Sequence, residues 1–172
     1  KEVTVGDVFN KMSDQMNVVL SEYKDAFEKS KYSLHQLLAL ASMAELEGTS
    51  LEDRKSIAGV FYNRLDANMS LGSDVTTYYA FGVDMSERDL TSEEFNTYNA
   101  YNTRGPNMAG MIPVGPICNP SKASIEAVLE PTEHDYYYFV ADKNKKVYFS
   151  KTSEEHNQTI SELKRKGDWI EW

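Results

Sequence analysis

The run from Leu34 to Glu47 reads Leu-His-Gln-Leu-Leu-Ala-Leu-Ala-Ser-Met-Ala-Glu-Leu-Glu, and as a helix it is apolar on nearly every side. Ser33 followed by Gln36 forms a Ser-x-x-Gln capping signature, and Gly48 suits the position just past the helix end. A helix with no polar face belongs at the centre of a fold, so the rest of the chain must wrap around it. Its last turn carries two carboxylates, Glu45 and Glu47, a residue type rarely buried unless paired or working. At 100° per residue the two point ~200° apart and cannot form a like-charge dyad. Glu45 continues the stripe of Leu34, Leu38 and Ala41; Glu47 continues that of Leu40, Met43 and Ala44. Whichever meets an apolar pocket is driven toward its protonated form, the form a general acid needs. Whichever lies at a solvated end, or beside Arg54 or Arg64, is structural. Periodicity does not choose between them.

Around this helix the pattern predicts six further elements and two shorter segments. Val5, Val8, Phe9, Met12, Met16, Val19, Leu20 and Tyr23 recur at helical spacing after Thr4, giving an amphipathic helix over roughly 5–29. Ser50 and Asp53 cap a helix whose inner stripe is Ile57, Val60, Phe61 and Leu65. Asn119-Pro120 reads as a helix start with proline in the first turn, running to about Leu129. Tyr136–Ala141 and Lys146–Ser150 read as two strands joined by the turn Asp142-Lys-Asn-Lys. A last helix covers about 153–166. The stretch 70–83 fits a short strand or a short helix, and Thr91 with Glu94 caps a short helix. From Tyr98 to Ser121 the repeated Asn, Gly and Pro predict a long ordered loop of the kind that often carries function. The fold class is α+β, mostly helical with a small antiparallel β-sheet. We expect one domain over 1–172, with a helical lead-in at 1–30 and a core at 31–172.

Composition narrows the function. The 172 residues carry 27 acidic and 18 basic side chains, a formal net charge of −9. Among the basic residues only Lys164-Arg165-Lys166 cluster, which argues against a nucleic-acid partner. No apolar run approaches the ~20 residues of a membrane-spanning helix. The single cysteine, Cys118, excludes an internal disulfide and reads as a buried thiol. His35, His134 and His156 fit no metal-ligand spacing, so no metal and no cofactor is expected. No serine elbow, phosphate loop or dinucleotide fingerprint is present. The Tyr- and Asn-rich run Asn96-Thr-Tyr-Asn-Ala-Tyr-Asn-Thr103 suits saccharides, whose apolar faces stack on rings and whose hydroxyls bond amides.

Several segments together resemble one family, the YceG-like (MltG) endolytic murein transglycosylases. Leu40-Ala-Ser-Met-Ala-Glu-Leu-Glu47 resembles its Ala-Ser-x-x-Glu-x-Glu helix. Ile57-Ala-Gly-Val-Phe-Tyr-Asn-Arg-Leu65 resembles its Val-Phe-x-Asn-Arg-Leu helix, and Leu71–Tyr79 its Asp-Pro-Thr-x-x-Tyr segment. Ala100-Tyr-Asn-Thr103, Ile112-Pro-Val-Gly-Pro-Ile-Cys-Asn-Pro120 and Tyr136–Asp142 are similar to three further motifs, and Phe149–Thr152 with Glu155-His-Asn157 to the closing one. The match covers about three quarters of the chain. It departs at Gly72, Val75, Arg104, Met111–Val114 and Val147, where the family pattern has other residues.

The resemblance implies a lysozyme-like catalytic helix and non-hydrolytic cleavage of the MurNAc–GlcNAc bond within peptidoglycan strands. The family's catalytic residue is the second Glu of its helix motif, which falls on Glu47. Substrate contacts are expected from Asp74, Tyr101, Asn102, His156 and Asn157. The implied partners are peptidoglycan strands and wall-synthesis proteins. The implied place is the outer face of the cytoplasmic membrane, through an anchor that, with a LysM-like domain, is expected upstream of this sequence. Two rival readings are a glycan-binding module with an idle Glu47 and a hydrolytic muramidase with Asp74 as second carboxylate. A structural partner of wall synthases is the third.

Overall fold

A computed structural model describes residues 2–169. The chain divides into two compact units, the first ending at Leu34 and the second beginning at His35. In the first unit, α1 (Val5–Glu22) starts from a capping box in which the Thr4 side chain accepts from the Asp7 N–H at 3.2 Å and Asp7 accepts from the Thr4 N–H at 2.9 Å. The single helix expected over 5–29 is interrupted. Tyr23, at φ −105° and ψ 13°, closes α1 and opens α2 (Lys24–Lys29). One residue out of helical ψ breaks the i→i−4 ladder there, which side-chain periodicity alone does not register.

The second unit is built around α3 (Leu34–Glu47), in which Leu37 and every residue from Ala39 to Ala44 are buried. The buried polar group on this helix is accounted for. Ser42 Oγ donates to the Ala39 carbonyl at 2.7 Å and accepts from the Ile117 N–H at 2.9 Å, so it pins the long loop to α3. Next comes α4 (Leu51–Asp66), opened by the expected Ser50–Asp53 box, with Ile57, Val60 and Phe61 fully buried.

Of the two options for the stretch 70–83, the structure takes the short helix, and no strand forms there among the described residues. Ser70 makes an isolated bridge to Ala109, and α5 (Asp74–Phe81) follows, stopped by Gly82 at φ 63°. Thr91 caps α6 (Ser92–Asn96) through the expected box with Glu94. Residues 98–121 are irregular, crossed only by turns and that bridge. The next helix, α7 (Lys122–Leu129), begins later than Asn119-Pro120 predicts. Ser121 is the cap, its side chain accepting from the Ser124 N–H, because a hydroxyl satisfies an N-terminal donor and proline does not.

α7 packs along α4, tied by Tyr62 Oη donating to the Val128 carbonyl at 2.6 Å. The chain then crosses α4 at Gly59, where a Cβ would stand 2.4 Å from the Thr132 carbonyl oxygen. Asn63 donates to the His134 and Tyr136 carbonyls at 2.8 and 2.9 Å, and Arg64 Nε to the Tyr137 carbonyl at 2.6 Å. These bonds fasten the entry of β1 (Tyr138–Ala141) to α4. β1 pairs antiparallel with β2 (Val147–Ser150) in the register Tyr138 to Ser150 and Ala141 to Val147. Both strands start later than predicted because residues 136 and 137 are held by α4 and 146 by the turn. In that turn the Asp142 carboxylate accepts from the Asn144 and Lys146 N–H groups at 2.8 and 3.0 Å. Finally α8 (Ser153–Lys166) lies against both strands. The architecture is mixed α and β with one small antiparallel sheet among the described residues.

Candidate active site

A cleft of about 410 Å³ opens in the second unit, between the end of α3, the start of α5, β1 and α8. This volume lies in the range of ligand sites. Glu47 lies in it, together with Arg64, Asp74, Arg104 and His156. Each is placed by a different element. Glu47 is the last residue of α3, Asp74 the first of α5, and Arg64 sits in the last turn of α4.

Glu47 is half-buried, and Ser73 Oγ donates to its Oε1 at 2.6 Å. Ser73 itself is buried and fixed by its own N–H, which donates to Thr103 Oγ1 at 3.0 Å. Burial pushes the Glu47 carboxyl up. The Ser73 bond and the charges of Arg104 and Arg64 oppose this and Asp74 adds to it, leaving a pKa of about 7. A carboxyl so poised holds a proton near neutrality and can give it up and take it back.

Glu45 has the opposite surroundings. It accepts from Arg54 Nη2 at 3.0 Å, from the Ser121 N–H at 2.9 Å and from Ser124 Oγ at 2.7 Å. Burial would raise its pKa, but the two serines and Arg54 outweigh it and hold the carboxyl below its usual range. Glu45 is thus a charged clasp between the first turns of α4 and α7. The neighbours of each carboxylate, which periodicity does not register, push the two pKa values in opposite directions.

Arg64 carries no free fork into the cleft, since Nε bonds the Tyr137 carbonyl and Nη1 the Leu71 carbonyl at 2.7 Å. Arg104 pairs with Asp74, both lining the cleft, and its guanidinium lies over the Phe95 ring. His156 borders the cleft with its ring against Tyr138, centroids 5.5 Å apart. Burial, with Arg64 and Arg104 nearby, pushes its pKa down, so it is neutral at pH 7. Its Nδ1 is buried with no hydrogen-bond partner among the described residues.

The remaining sequence candidates lie elsewhere. Asn102 is fully buried. Its amide donates to the Glu94 and Thr97 carbonyls at 2.9 and 2.8 Å and accepts from Thr77 Oγ1 at 2.7 Å. It therefore braces the loop that carries Arg104 and offers nothing to a ligand. Tyr101 packs edge-on against Tyr79, 4.8 Å between centroids, and is outside the cleft lining. Asn157 is exposed on α8 and likewise outside the lining.

Sequence reasoning missed Ser73, Phe139, Ile160 and Trp169, all of which touch Glu47 or border the cleft. No periodic signal marks Ser73, which stands in an irregular segment before α5. Phe139 was legible only as a strand residue. His35 lies on the helix surface, its Nε2 2.8 Å from the Val114 carbonyl oxygen. Among the described residues no cluster of acidic, histidine or cysteine side chains has the geometry to hold a metal ion.

The comparisons with known proteins bear on all of this. The YceG-like family matches residues 1–162. The chain is 39% identical over 160 residues to a Bacillus subtilis (strain 168) protein named endolytic murein transglycosylase, covering 91% of this chain and 42% of that one. It is 34% identical over 166 residues to the protein of the same name from Streptococcus pneumoniae serotype 2 (strain D39), covering 94% of this chain and 30% of that one. A crystal structure of a yceG-like protein from Listeria monocytogenes superposes with a TM-score of 0.83 at 40% identity, covering 92% of this chain and 50% of that one. The chain thus spans less than half the length of the curated relatives it matches. Family match, relatives and superposed fold agree, and the chain belongs to the YceG-like family.

Proposed function

We propose that this chain carries the catalytic part of an endolytic lytic transglycosylase that cuts the MurNAc–GlcNAc bond of peptidoglycan. The observation that carries the reading is Glu47 in its cleft, held near pKa 7 with Ser73 on one carboxyl oxygen. The names of the relatives support the substrate class.

One carboxyl is enough for the reaction. Protonated Glu47 donates to the glycosidic oxygen as the C1–O bond breaks and oxocarbenium character develops at C1. The carboxylate that results takes the proton of the C6 hydroxyl of the same MurNAc. That oxygen bonds C1 and closes a 1,6-anhydro ring. The proton returns to Glu47, so no water is consumed. An internal nucleophile also gains from proximity. Ser73 and Arg104 stabilise the charged intermediate form of Glu47, which the same carboxyl must visit. Asp74, and His156 as a neutral imidazole, are the sugar contacts we assign. Strands of the wall are the substrate and wall-synthesis proteins the partners. The site of action is the outer face of the cytoplasmic membrane. Among the described residues no helix is long and apolar enough to cross a membrane.

Mass spectrometry of purified peptidoglycan after incubation with the protein tests the reading. Anhydro-MurNAc ends that disappear with Glu47→Gln are the expected result. Reducing MurNAc ends would instead identify a muramidase, with Asp74 as the second carboxylate. Tight strand binding without any product would identify a binding module.

A further inference from the structure

We propose that Trp169 is a sugar-stacking residue of the cleft; this rests on the reading of the cleft as a glycan site. α8 ends at Gly167, whose φ of 70° suits glycine, and its N–H bonds the Leu163 and Lys164 carbonyls. The Asp168 N–H then donates to the Leu163 carbonyl at 2.9 Å, turning the chain back. Lys143, in the turn between β1 and β2, ties this return down. Its N–H donates to the Asp168 carbonyl at 2.9 Å, and its Nζ reaches the Gly167 carbonyl at 2.7 Å and Asp168 Oδ1 at 3.2 Å. The result is that Trp169 borders the cleft beside Phe139 and Ile160.

Trp169 is not a core residue, for it remains partly exposed. Lys164 Nζ lies 5.2 Å from the ring centroid and steadies the indole. Glu47, Asp74 and Arg104 line the same cleft. A flat apolar ring near polar side chains is the combination a pyranose requires. Its axial C–H groups meet the electron-rich ring face while its hydroxyls meet charged and polar groups. The family match covers residues 1–162, and Trp169 lies beyond it.

The sequence holds two tryptophans, so Trp172→Phe leaves Trp169 as the single indole reporter. In a Glu47→Gln, Trp172→Phe protein, titration with soluble uncrosslinked peptidoglycan strands is expected to shift Trp169 emission saturably and shield it from a collisional quencher. Trp169→Ala should weaken strand binding about tenfold and Trp169→Phe much less. In the active protein Trp169→Ala should raise KM while kcat stays within about twofold, as loss of uniform binding does. Unchanged emission together with unchanged affinity of Trp169→Ala would overturn the stacking role alone, the glycan reading standing if wild type still binds or cuts strands. Absence of binding and cleavage in every form would overturn both readings.

Discussion

Glu45 and Glu47 stand two residues apart at the end of one helix and live under opposite chemistry. Glu45 faces the first turns of α4 and α7, where a backbone N–H, a hydroxyl and a guanidinium converge on it. Helix N-termini favour negative charge, so the starts of α4 and α7 stabilise the Glu45 anion. Glu47 faces the cleft, where among the described residues one hydroxyl, that of Ser73, donates to it, Asp74 adds a like charge and burial dominates. The identity of a side chain says little about its role here. The donors around it decide whether its carboxyl is held charged or driven toward its protonated form.

The largest expected effect follows at once. Glu47→Gln keeps the shape and removes the proton, so activity should fall on the order of 10²–10⁴-fold with the fold intact, measured as released muropeptides and by circular dichroism. Glu45→Gln should do the reverse. It deprives Arg54 of its carboxylate partner and should cost about 2 kcal/mol, read as a lower Tm, while activity per folded molecule stays near wild type. Comparable loss of activity in both variants would dissolve the distinction.

Two further expectations sharpen it through pH. The folded pKa of Glu47 lies above that of an unfolded carboxyl, about 7 against 4.5. Between those values the folded state holds more protons, so unfolding free energy falls as pH rises through the window. Glu47→Gln should therefore gain stability relative to wild type from about pH 4.5 upward, with the full gain above about pH 7, checked by denaturant melts at pH 4 and pH 8. The falling limb of kcat/KM should sit near pH 7 in wild type, where the acid of the free enzyme loses its proton. Ser73→Ala removes a bond that favours the charged form, so that limb should move to higher pH. Arg104→Gln should move it the same way and less, because Arg104 is about half exposed and acts on Glu47 only through its charge.

Much of the frame was legible before any coordinates. The all-apolar face of Leu34–Ala44 demanded a central helix, and seven of its residues are buried. The boxes at Thr91 and Ser50 mark their helices because capping is local chemistry. The break at Tyr23 and the cap at Ser121 were not legible, since one backbone angle and one hydroxyl decide them. The site was less legible still. Asn102 looked like a sugar contact by residue type, yet tertiary packing turned its amide onto two loop carbonyls. Ser73 and Trp169 carry no periodic signal, and only the folded chain brings them to Glu47 and its cleft. The resemblance pointed to Glu47 where spacing could not, and the donors around Glu45 account for the opposite pKa shifts of the two carboxyls.

The most direct test of the division is a carboxyl titration. Carbon-13 NMR of protein labelled at the glutamate side-chain carboxyl should show one resonance titrating near pH 7. That resonance should vanish in Glu47→Gln and persist in Glu45→Gln, while the Glu45 signal titrates below the ordinary carboxylate range. A spectrum in which no glutamate titrates above about pH 5.5, or in which the high-titrating signal belongs to Glu45, would contradict the account.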